Sequence, residues 1–318
     1  MEPTELGQLG DPRDAVLDQM EPLEEKPLLG VLALYPIFDT LCSHLDISGL
    51  ITLRKISKKL GTHLSTHMKE RWNINRRLGR FVRDPCKFRS AIAHHDALVS
   101  GSFAIQFFDD VLFNGSDLDA YIQDGEGASA FGHYLRRGEG YALEKEEIEH
   151  AYSLDEIVKT ETYKRWKGHG EMTKIQIVST RSTPVQAILH GFYTTAVVNF
   201  LSWNKAYSIF PDITFLHPRT TYPLKRIDRS YPPLLAKYEI RGWTMSDPIP
   251  EESLYSICVN TSRHVRDYKT RKIALNTTGV GPPRVPDFVL ESSCFQLRSS
   301  QENYRYLSYK VDAWPYES

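Results

Sequence analysis

The chain has 318 residues, with 39 Lys and Arg against 40 Asp and Glu and a formal net charge of −1. That balance excludes a whole-molecule field of the kind that draws a protein onto nucleic acid or an anionic membrane. An aromatic content of 11% excludes general disorder, and the length suffices for one large domain or two unequal ones.

Cys42, Cys86, Cys258 and Cys294 are far apart and never form a C-x-x-C pair. Neither a disulfide framework nor a zinc ribbon is expected, and reduced thiols in a cytosolic or nuclear protein are. Residues 1–27 hold eight acidic and two basic side chains. They have too little apolar surface to offset the entropy of ordering, so a flexible acidic tail is expected there and no signal peptide. No apolar run reaches the length of a membrane span, so the sequons at Asn114, Asn260 and Asn276 carry little meaning.

From Leu32 the spacing predicts short helices. Ile37, Leu41 and Leu45 recur at four, with Phe38 and Cys42 on the adjoining face, and after a break near Asp46–Gly49 the residues Leu53, Ile56, Leu60 and Leu64 continue the pattern. Residues 54–89 then carry twelve Lys and Arg against Glu70 and Asp84. Such a run could be a phosphate-binding stripe, but solvated helix faces carry charge runs more often, and nucleic acid is not the expected partner.

A second organisation begins near Ala97. "ALVSG" reads as a strand, Phe103, Phe107 and Val111 as a helix, and "DLDAYI" as a strand with Leu118, Ala120 and Ile122 on one face and Asp117, Asp119 and Tyr121 on the other. The stretch from Gly125 to Gly170 predicts a helix plus irregular connections. "MTKIQIVST" predicts a strand, Thr183–Pro184 a helix start, "TTAVVNFL" a strand or buried segment, and "PPLLAKYEIRGW" a helix. The main boundary is expected between about 88 and 97. The domains read as a tail at 1–27, a helical module at 28–92, an α/β domain at 93–242 and a β-rich extension at 243–318.

The pattern Leu34, Pro36, Ile37, Leu41, Leu45, Leu50 and Leu53 resembles an F-box over residues 32–70. The resemblance implies an exposed apolar ridge made or supported by those residues, docking on the adaptor of a cullin-type ubiquitin ligase and recruiting an unknown protein substrate. So small a unit cannot bury all its apolar residues by itself. Two departures from the pattern are Ile37 where an acid is usual and Gly49 where Asp is common. An ordinary helical hairpin, packed on its own chain, remains the alternative.

Gly101-Ser102, a fourteen-residue spacer and Asp117-Leu118-Asp119 resemble the nucleotidyltransferase superfamily of DNA polymerase beta type. Glycine lets backbone approach a phosphate, while Ser102 and the helix start bind anionic oxygens. Carboxylates two apart on a strand point the same way and can share metal. The resemblance implies Gly101 and Ser102 as nucleotide-binding residues, Asp117 and Asp119 as catalytic metal ligands, and Mg²⁺ with a nucleoside triphosphate as cofactor and substrate if the site is active. It also implies a third carboxylate on a later strand, and "KIQIV" puts Gln176 there. Segments such as "WNINRRLGRFVRDP" and "QAILHGFYTTAVVNFLSWNKAYSIFP" further resemble a group of fungal proteins joining an F-box-like module to this domain. The expected class is therefore α+β, a helical module followed by an α/β domain with a mixed sheet. The leading expectation is a ligase adaptor with a degenerate transferase domain, and the alternative is a working Mg²⁺-dependent nucleotidyltransferase.

His94-His95 reads as a polar connector and His190 as a helix C-terminal residue, with Glu171 out of register for the missing acid. Lys225, Arg226, Arg229, Lys237 and Arg241 could face a triphosphate or solvent.

Overall fold

The computed structural model describes residues 27–32, 34–45, 47–148, 156–216, 219–225, 232–246, 249–299 and 307–312. Apart from Pro27, the expected tail lies outside them, as do Asp46, Arg226 and Arg229. Two compact units emerge, 1–68 and 69–318. This break falls earlier than the expected one, because Phe81, Val82 and Phe88 of the basic segment are buried together with the second unit's rings, Phe81 on Phe103 and Phe88 on Phe131. No described helix is long and apolar enough to cross a membrane.

The first unit contains α1 (Pro27–Leu32), α2 (Tyr35–His44), α3 (Ile47–Ile56) and most of α4 (Lys58–Arg71). Its core is Phe38, Cys42, Leu50, Leu53, Leu60 and Leu64, with Leu41 and Leu45 packed partly against it. Helices α2, α3 and α4 thus each contribute a pair three or four residues apart, the spacing that aligns side chains on one helical face. The buried face of α2 runs through Phe38 and Cys42, about one residue round from the Ile37–Leu41–Leu45 stripe, because the larger ring fits among the leucines of α3 and α4. Of the seven residues expected to form or support the ridge, Leu34, Pro36 and Ile37 are exposed, Leu41 and Leu45 are half-buried, and Leu50 and Leu53 are interior, at 0% and 6% exposure.

The second unit starts with α5 (Ile74–Leu78) and α6 (Pro85–His94), capped by the side chains of Asn73 and Asp84. It is built on an eight-stranded mixed sheet of β1 (Leu98–Ser100), β2 (Leu118–Gln123), β3 (Ala142–Ile148), β4 (Ile157–Trp166), β5 (Met172–Thr180), β6 (Asn199–Leu201), β7 (Lys205–Ser208) and β8 (Arg271–Ala274), in the order β8-β7-β6-β1-β2-β5-β4-β3. Within it β2 and β5 pair in parallel and the other neighbours are antiparallel. Helices α7 (Gly101–Asp109) and α8 (Glu126–Arg137) follow β1 and β2. Gly132 of α8 packs on Tyr163 and Ile177. The opposite face carries Tyr121 against Phe192, at the end of α9 (Pro184–Gly191), and a core including Leu98, Val178, Ile188, Phe200 and Phe295. Helix α10 (Pro232–Glu239) comes later in the chain. Strands at 262–264, 294–299 and 307–312 form a separate small sheet.

The segment after α8 departs from expectation, since β3 and β4 replace irregular connections. Glu144, Lys145, Glu146 and Glu147 put charge on both sides of β3, and all seven of its residues are exposed. An edge strand solvated on both faces gives no period-two apolar signal.

Leu50→Ala is expected to cost the first unit about 2–5 kcal/mol, whereas Ile37→Ala, at an exposed position, should stay within about 0.5 kcal/mol. Amide hydrogen exchange across residues 35–64 of the full chain checks both.

Candidate metal and nucleotide site

The site is built where β1 turns into α7. Gly101 has φ +66°, a backbone region that L side chains rarely adopt, and a Cβ there would lie 2.2 Å from Asp119 Oδ2. Both facts require glycine. In the sheet Ser100 is the antiparallel partner of Asp119 and Gln176 its parallel partner, so β1, β2 and β5 bring these three side by side. The Ser100 hydroxyl donates to the Asn199 carbonyl at 2.6 Å, tying β1 to β6 behind the turn. Ser102 is the second residue of α7 and only 6% exposed. Asp117 stands one residue before β2. The expected site residues Gly101, Ser102, Asp117 and Asp119 therefore come together at one corner.

Asp119 is half-buried, and the atoms packed round it strip hydration from its carboxyl. Burial pushes its carboxyl up to about 7, helped by the negative Asp117 and opposed by Lys237 of α10. Burial likewise raises Asp117, opposed by Lys174, Lys237 and Lys164. Among the described residues no hydrogen bond or ion pair reaches either carboxylate. A buried charge without a partner is costly. The pair is thus poised to take either a proton or a cation.

Gln176 occupies the position beside Asp119 where a third carboxylate was sought, and its amide lies 3.4 Å from the Thr162 hydroxyl on β4. Glu171 is exposed in the turn before β5 and stands outside the site. No three His, Cys, Asp or Glu side chains gather to hold a metal among the described residues. His94 and His95 stack edge to face at 4.9 Å next to α6's end, and His190 lies in the last turn of α9, its imidazole pulled down by burial. Lys225 sits over the Tyr193 ring at 4.8 Å, and Arg241 over Phe113 at 3.9 Å. Sequence reasoning missed Lys164, Lys174 and Tyr238 of α10, whose phenol is pushed up by burial and lies near Asp119 and Arg241. Lys174 was in principle readable, since it stands two residues before Gln176 on an alternating strand and so shares its face.

No protein-family model matches the chain, and no curated protein matches it. Among solved structures, the CCA-adding enzyme of Thermotoga maritima, in complex with tRNA, aligns at 18% identity over 59% of this chain, with a TM-score of 0.38. The alignment spans 45% of that enzyme's length.

A carboxyl raised in the folded state binds its proton more tightly there than in the unfolded chain, whose Asp titrates near 3.9. The stability that it contributes is therefore full below about pH 4 and is lost as pH rises through about 7. Asp119→Asn should raise the melting temperature more at pH 8 than at pH 5. Paired thermal melts at the two values check this, and equal shifts would contradict it.

Proposed function

We propose that residues 69–318 form a Mg²⁺-dependent nucleotide-binding domain of the nucleotidyl-transferring type. The observation that supports this reading is the unpartnered Asp117–Asp119 pair packed against Gly101 at the amino end of α7. It sets a cation-seeking group beside backbone that can approach an anion.

The residues present fit a divalent cation, because two carboxylates without protein donors gain most from one. Asp117 and Asp119 would hold it, water completing its oxygen shell. Bound there, the cation would neutralise charge on a phosphate chain and activate the transferred phosphorus. The chain's own contributions are separate. The α7 amino end and Ser102 receive phosphate oxygens, the Gly101 backbone leaves space for them, and Lys174 and Lys237 temper the charge of Asp117. Gln176 is neutral at pH 7 and takes no proton from an acceptor hydroxyl. Binding is accordingly expected to be firm and turnover slow.

A second reading concerns residues 27–68 and draws its support from the exposure of Leu34, Pro36 and Ile37. In that reading the patch docks on a ligase adaptor. Leu34→Asp with Ile37→Asp, which spares the core, should abolish co-purification of an adaptor from cells, and retention would dismiss the role.

The central test is calorimetric titration of each nucleoside triphosphate with Mg²⁺ into the wild type, Asp117→Asn with Asp119→Asn, and Gln176→Glu. Metal-dependent binding by the wild type should vanish in the double variant, a loss of at least tenfold in affinity. The Gln176→Glu chain, with a carboxylate restored beside Asp119, should bind metal more tightly and turn over faster. A folded wild type that binds no triphosphate would overturn the reading.

A further inference from the structure

The connection from Val111 to Asp117 places one of the two carboxylates, and the structure shows what holds it. Gln106, in the second turn of α7, is 1% exposed and engages both ends of its amide. Its Nε2 donates to the Ser102 carbonyl at 3.1 Å and to the Ser116 hydroxyl at 2.9 Å. Its Oε1 accepts the Phe113 backbone N–H at 2.9 Å and both terminal nitrogens of Arg80 at 3.3 Å. One buried side chain thus reaches the Gly-Ser turn, the middle of the connection and the residue immediately before Asp117.

Arginines of the basic segment reinforce the same piece of backbone. Arg77 donates to the Gln106 carbonyl at 3.0 Å and the Val111 carbonyl at 3.4 Å, and it pairs with Asp110. Arg71 also pairs with Asp110, at 2.8 Å. Asp110 itself has φ +57°, the left-handed residue that ends α7. Arg71, Arg77 and Arg80 of "RWNINRRLGR" are therefore turned inward, onto Gln106 and the connection that carries Asp117, while Arg76 is exposed.

We infer that Gln106, braced by Arg80 and Arg77, is a positioning residue for the cation site, fixing the 111–117 connection so that Asp117 stands beside Asp119. Burying a neutral amide is tolerable because its donor and acceptor groups are satisfied. Its bond to the Ser116 hydroxyl fixes the residue next to Asp117, and so it can set a carboxylate that it does not touch. Residues outside the ligand set that orient metal ligands typically govern affinity by about 10–100-fold. The inference rests on the proposed cation site.

The test uses the full chain and Mn²⁺ alone as the probe, its bound fraction counted by electron paramagnetic resonance. Gln106→Met keeps the length and apolar volume but removes the five side-chain hydrogen bonds to four residues. Its Mn²⁺ affinity should fall roughly tenfold, and amide exchange across 112–118 should quicken in the metal-free protein. Arg80→Met should weaken Mn²⁺ binding in the same direction, and Arg80→Lys, which keeps a donor for Oε1, should restore most of it. Phe88→Leu, remote from the connection, supplies a control with a comparable stability loss and should leave Mn²⁺ affinity unchanged. Full affinity in Gln106→Met, or an equal drop in the Phe88→Leu control, would overturn the positioning role while leaving the cation site standing. A wild type that takes up no Mn²⁺ would overturn the site and the role together.

Discussion

The close approach of the Asp119 carboxylate to Gly101 is the constraint around which the second unit is arranged. An oxygen 2.2 Å from where a Cβ would stand leaves room for glycine alone, and the same residue supplies the positive φ that turns β1 into α7. Antiparallel pairing of Ser100 with Asp119 and parallel pairing of Asp119 with Gln176 then fix the register on both sides. A one-residue slip in either ladder would turn Asp119 toward the α8 face and bring Leu118 or Ala120 to the side that faces Gly101.

Much of that corner was legible in the sequence, because it depends on local rules. Glycine before an apolar helix, and alternation through "DLDAYI", state the turn and the face of the carboxylates directly. The arginines were not legible. Arg77 and Arg80 lie in a run whose composition suits a solvated helix, and their role depends on contacts with Gln106, Asp110 and the Val111 carbonyl, 26 to 34 residues away. The β3–β4 pair was missed for a related reason. Polar residues on both faces erase the alternation on which a strand is recognised, and only pairing with β5 makes it a strand.

The first unit illustrates a subtler limit. Its helices follow from spacing, but two stripes about one residue apart on α2 compete for the core, and spacing alone does not rank them. Packing decides, because Phe38 and Cys42 match the leucines of α3 and α4 while Ile37 is left 40% exposed. A docking ridge read from leucine spacing therefore mixed interior residues with surface ones, and a substitution at Leu50 would disturb folding before it disturbed docking.

The charges around the carboxylates carry a consequence for how the site fills. Lys164 and Lys174 are direct cross-strand partners on β4 and β5, a like-charge arrangement that is unfavourable in isolation. Glu144 on β3 pairs with Lys164 and offsets its charge, while Lys237 acts on both acids from α10. A lone divalent cation meets attraction from two acids and repulsion chiefly from Lys174 and Lys237. A lone polyphosphate meets the reverse. On the proposed function the two would arrive together, the cation on the acids and the phosphate oxygens toward the lysines, so each would remove the repulsion that the other would meet. Binding of metal and phosphate should therefore be mutually reinforcing, and by linkage each must raise the affinity of the other by the same factor. Gln176 leaves more of the affinity to this coupling, because a third carboxylate beside Asp119 would add to the attraction that the two acids already exert on the cation.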